Sequence, residues 1–63
     1  MTAALKDRLR ERINGMQHDA NRYLLYASTA RRKGCAASAS FATARADKLT
    51  RDRAHLLDVL SVA

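Results

Sequence analysis

His18, Arg22 and Tyr26 follow one another at intervals of four residues, so on a helix they stand on one side, a turn apart. Leu25, Thr29 and Arg32 fall on the neighbouring row. Such a face can hold an anion and a base, because arginine offers paired donors to a phosphate and tyrosine or arginine stacks on a base. The same residues also make an ordinary solvated helix face with Tyr26 half covered, and both readings stay open.

Arg31, Arg32 and Lys33 run directly into Gly34 and arrive beside the start of whatever helix follows. Free backbone N–H groups there, with the hydroxyls of Ser38 and Ser40, can hold a phosphate. Two such corners in an oligomer could converge on one anion. The structural alternative is that the cations complement the end of one helix while the serines cap the start of the next. The candidate ligand residues are therefore Arg22, Tyr26, Arg31, Arg32, Lys33, Ser38 and Ser40, with His18 beside them. Lys6, Arg8, Arg10 and Arg12 alternate along the chain with Asp7 and Glu11 interleaved, which spreads them around a helix. They read as solvated surface that adds salt-sensitive attraction to phosphates.

Chemistry beyond binding has little to work with. Nothing resembles a phosphate loop, a nucleophile elbow, a paired metal motif or a dinucleotide fingerprint. Cys35 adjoins three cations and a helix start, a setting in which thiols react, yet it reads better as a small buried residue at the tight end of a helix pair. His55 has no evident triad partner. Cys35, His18 and His55 lack the short-range pairing that zinc requires. The expectation is a non-enzymatic protein with no catalytic residues, metal or cofactor.

Charge points to the class of partner. Twelve Lys and Arg stand against six Asp and Glu, for a net charge of +6 on 63 residues. Eight basic and three acidic residues lie at or before Lys33, and four against three lie beyond it, so the excess is concentrated in the first half. An anionic ligand is expected, nucleic acid or nucleotide, with an acidic protein surface as another candidate. The opening residues lack the apolar core of a signal peptide and no apolar run is long enough to span a membrane, so a cytoplasmic protein with a free thiol and no membrane partner is expected.

The elements that must position these groups are helices. Proline is absent, glycine occurs only at 15 and 34, and Ala, Leu, Arg and Lys are frequent. Leu9, Ile13, Met16, Ala20, Tyr23, Ala27 and Ala30 alternate at spacings of four and three, a continuous heptad seam. Cys35, Ala39, Ala42, Ala46, Leu49, Arg53, Leu56, Leu60 and Ala63 make a second seam, broken only by Arg53. A buried Arg53 would need a partner or a route to solvent, with Asp52 and Asp19 as candidates. Gly34, after three cations, is a strong helix stop.

The fold expected is an all-α antiparallel hairpin forming one domain, with helix over about 3–33, turn over about 34–37 and helix over about 38–61. Ser38 or Ser40 would cap the second helix. Reversal at Gly34 sets Ala30 against Ala39, Ala27 against Ala42, Tyr23 against Ala46, Ala20 against Leu49, Met16 against Arg53, Ile13 against Leu56 and Leu9 against Leu60. Asn14-Gly15 is a turn signal that could split off a short N-terminal helix. Because the seam keeps phase through Ile13 and Met16, the continuous helix is preferred.

A chain this short buries only about 60% of its unfolded surface, so further stabilisation is expected, and with a single cysteine it must come from assembly into a helical-bundle homo-oligomer, a dimer or higher. Leu24, Tyr26, Leu57 and Val59 flank the seams and are the expected oligomer interface, as in a four-helix bundle. Leu25 and Phe41 fall further out and are candidate anchors for a protein partner. The functional expectation is a small basic binding protein that holds nucleic acid or nucleotide on an oligomeric helical scaffold. Its rivals are a protein-binding inhibitor or adaptor of mobile-element or phage type, and a sponge that sequesters a nucleotide where subunits meet.

Overall fold

Gly34 has φ 77°, and it is the only positive φ among the described residues. The computed structural model describes residues 2–62. Around Gly34 the chain closes a paired hydrogen-bond motif. The Cys35 N–H donates to the Ala30 carbonyl at 2.8 Å and the Gly34 N–H donates to the Arg31 carbonyl at 3.1 Å, while Lys33 N–H still reaches Thr29 at 3.1 Å. Orphan carbonyls at the helix end are thereby satisfied, and the left-handed residue this requires is glycine because a Cβ would meet its own backbone.

Two helices result: α1, Ala3–Arg32, and α2, Ala36–Val62. Thr2 caps α1, its Oγ1 accepting from the Leu5 N–H at 3.2 Å. No strand occurs among the described residues. Helices of 30 and 27 residues laid end to end would span about 85 Å at 1.5 Å per residue, yet the longest extent of the molecule is 48 Å. They lie side by side and antiparallel, as a hairpin.

α1 passes through Asn14-Gly15 without a break. Ile13 and Met16, on either side of that pair, are both buried, and their common burial outweighs the roughly 1 kcal/mol that glycine costs inside a helix. α2 begins at Ala36, two residues before the expected bound. The Cys35 carbonyl accepts its first intrahelical bond, from the Ala39 N–H at 3.0 Å. Ser38 and Ser40 therefore lie inside α2, and neither caps it, because the turn motif ends on Cys35 and leaves no spare loop residue.

The seams face each other as spaced. Ile13, Met16, Ala20, Ala27, Ala30, Ala39, Ala42 and Ala46 are buried. The Arg45 guanidinium lies 5.8 Å from the Tyr23 ring centroid, which suits a pairing of Tyr23 with Ala46 one residue away. Leu9, Tyr23, Leu49, Leu56 and Leu60 are only half-buried, and none of the eight leucines is buried. Two helices touch along a line. A methyl group fits wholly within that contact; among the larger seam side chains Ile13 and Met16 do so too, while Tyr23 and the leucines overhang it.

Two seam positions depart from expectation. Cys35 is exposed, because the tight turn takes it out of the helix–helix contact. Arg53 is half-buried, with its Nε shielded from solvent and without a hydrogen-bond partner, and neither Asp52 nor Asp19 pairs with it. Ala63, the last seam position, lies outside the described residues. No helix among the described residues is long and apolar enough to cross a membrane.

Candidate functional site

The three turn cations do not gather at one corner. Consecutive residues of a helix stand about 100° apart around its axis, so Arg31 and Lys33 diverge by about 200°. Lys33 lines a recess with Tyr26, Thr29, Ala30, Cys35 and Ser38. Arg31 lines a different one, with Ala36, Ala39, Ser40, Thr43, Ala44 and Asp47. Arg32 lines neither. The expected single cluster of Arg31, Arg32, Lys33, Ser38 and Ser40 is thus split between the two sides of the hairpin, Ser38 going with Lys33 and Ser40 with Arg31.

On the Lys33 side the recess continues along α1 into a groove lined by Asp19, Arg22, Tyr23 and Tyr26. Tyr26 belongs to both and is 58% exposed. Arg22 and Tyr26 are therefore neighbours, as their spacing requires. His18 lines none of these three recesses. Asp19 stands one turn from Arg22, about 4.5 Å along the axis, so a carboxylate occupies the ground an incoming anion would need.

The Arg31 side is arranged differently. Arg31 Nη2 donates to Thr43 Oγ1 at 3.0 Å. The Thr43 hydroxyl in turn donates to the Ala39 carbonyl one turn back, at 2.9 Å, which fixes its rotamer and turns a lone pair toward Arg31. Alanines 36, 39 and 44 contribute only methyl groups, leaving the recess open between the Arg31 guanidinium and the Ser40 hydroxyl. Ala36 is the first residue of α2, so its free N–H and the positive end of the α2 dipole are at this end of the recess. Asp47 also lines the recess, one turn beyond Thr43 and about 6 Å along α2 from it, so a carboxylate borders this side as well.

Thr43 is the site residue that the sequence reading missed. The signal was present in the pairing of Ala30 with Ala39, which carries Arg31 to the flank of α2 on which Thr43, one turn beyond Ala39, also falls.

The apolar candidates separate as well. Leu24, Tyr26 and Leu57 are exposed, while Val59, placed with them, is half-buried. Leu25 is 70% exposed and Phe41 63%. Leu25 stands about 200° around α1 from buried Ala27 and so faces away from α2, whereas Phe41 flanks the α2 seam on the side of Tyr26. They do not form one patch. Comparison with protein-family models, with curated proteins and with solved structures finds no match to this chain.

Proposed function

We propose that this chain is a small basic, non-enzymatic binding protein that holds a phosphate-bearing ligand, nucleic acid or nucleotide, at the Arg31 recess. The observation that carries the reading is the bond from Arg31 to Thr43. It holds one guanidinium edge against α2 and leaves the remaining N–H donors for a phosphate, to which arginine binds in a two-pronged manner. Ser40 adds a hydroxyl and the start of α2 adds a favourable dipole. The net charge of +6 supplies long-range attraction.

The scaffold that presents this recess is read as a helical-bundle homo-oligomer, since a single hairpin leaves no leucine buried. A cytoplasmic setting suits a free, exposed cysteine.

Anisotropy of a fluorescein-labelled single-stranded oligonucleotide tests the reading. Binding is expected to weaken steeply between low and moderate salt, and Arg31→Ala to weaken it by about tenfold or more, the worth of one charge-assisted bond. Competition by a mononucleotide separates the two ligand classes. Affinity indifferent to salt, or to loss of Arg31, contradicts the proposal.

A second reading, a protein-binding inhibitor or adaptor, has one observation in its favour: Leu25 remains 70% exposed on the side of α1 turned from α2. Leu25→Ser abolishing capture of a defined protein partner while sparing oligonucleotide binding would favour it.

A further inference from the structure

A single hairpin exposes more surface than a chain of its size should. Its accessible surface is 4765 Å² at 7.0 kDa, whereas compact monomers of that mass expose about 4,000 Å². The surplus is about 700 Å², close to the roughly 800 Å² that each partner buries in a standard interface. Large apolar groups lie on both flanks. Phe41, Leu49, Leu56 and Val59 follow the flank of α2 that adjoins Tyr23 and Tyr26, while exposed Leu57 continues the row of Thr43 and Thr50 on the other flank and exposed Leu24 stands one heptad before Arg31.

The Phe41 flank has a symmetry of its own. Along α2, Phe41 and Leu56 are equidistant from the midpoint between Lys48 and Leu49, and so are Arg45 and Asp52. A twofold axis through that midpoint would bring each Arg45 to an Asp52 and each Phe41 to a Leu56, with Leu49 near the axis. The Tyr26 flank of α1 carries a second set: Asp19 with Arg22, and Gly15 with Tyr26, share the midpoint between Ala20 and Asn21. The hairpin pairing of Ala20 with Leu49 brings the two midpoints to the same level. One axis perpendicular to the helices thus relates all four pairs. Gly15 has open space where a Cβ would be, room that a tyrosine ring from a second copy can fill. Like charges are opposed at two places, Lys48 with its own copy beside the axis and Arg8 with Lys33 at the rim, and all of these side chains are exposed in the hairpin.

We infer that the Tyr26–Phe41 face is where two copies of this chain pack face to face as a four-helix bundle, α2 antiparallel on α2 and α1 antiparallel on α1, locked by reciprocal Arg45–Asp52 and Asp19–Arg22 ion pairs. The inference rests on the reading of the chain as a homo-oligomer and takes it to one pairing. An isologous contact requires each pair to occur twice, and all four pairs satisfy that requirement. The occupant is a second copy because the face complements itself in charge, in apolar size and in the glycine gap. The Arg31 recess lies on the opposite face and stays open in the dimer.

Charge reversal tests the pairing. In sedimentation measurements Arg45→Asp and Asp52→Arg should each weaken dimerisation by at least about tenfold, since each turns two attractions into repulsions. The double variant should restore it, even if Arg45→Asp also loses its contact with Tyr23. Leu49→Cys in a Cys35→Ser background should oxidise to a covalent dimer. A monomer at every accessible concentration overturns the oligomer reading and the pairing together. A dimer that ignores the single reversals, or that the double variant fails to restore, overturns the pairing alone.

Discussion

Arg31 and Thr43 form the one side chain–side chain hydrogen bond that joins α1 to α2 among the described residues, at 3.0 Å. Twelve positions apart in sequence, they meet because Gly34 turns the chain back between them. The bond links the fold to the proposed function, since the turn that builds the hairpin also aims the guanidinium.

Thr43→Val is isosteric and deletes the acceptor. Helix content should be unchanged by circular dichroism, because Thr43 is only half-buried and the lost hydrogen bond contributes about 1 kcal/mol. Oligonucleotide affinity should fall several-fold as the freed guanidinium regains rotamer freedom, about 1 kcal/mol of ordering. Unchanged affinity would mean that Arg31 acts as a diffuse charge or not at all.

Gly34→Ala should cost about 1–2 kcal/mol in denaturant unfolding, the strain of a Cβ in the left-handed region. Open space surrounds the position, so backbone conformation alone is at stake. A neutral effect would show that the chain reverses with some other turn geometry.

Arg53→Met should stabilise. Its Nε is shielded and unpartnered, and relieving such a group recovers about 1–3 kcal/mol while methionine keeps the length of the stem. A higher melting temperature is the expected result; a lower one would show that the guanidinium finds a partner in solution.

Cys35 should react with a thiol reagent in the native protein at close to the rate of the denatured one, since it is exposed in the turn. Strong protection would place it inside a helix contact.

The hairpin was legible because a heptad seam and a glycine after three cations are local signals, and both helices keep phase from end to end. The unbroken passage through Gly15 was legible for the same reason: Ile13 and Met16 share one face. What periodicity does not report is how completely a stripe is covered. It put Leu49 and Ala46 on the same seam, yet the alanine is buried and the leucine overhangs. It also made Cys35 a seam residue, although the turn motif uses Cys35 as its closing donor and lifts it out of the contact. The turn cations look like one cluster in sequence and separate in space because neighbours on a helix diverge in direction. Leu25 and Phe41 separate for a related reason, one facing away from the partner helix and the other flanking it.

Binding at the Arg31 recess is most directly tested by NMR of ¹⁵N-labelled protein titrated with a short single-stranded oligonucleotide. The proposed site predicts the largest shifts at the amides of Ala36, Ala39 and Ser40 and at the Arg31 side-chain Nε, with little change at Leu25 or Tyr26. Shifts centred on Arg22 and Tyr26, or no shifts at low salt, would contradict it.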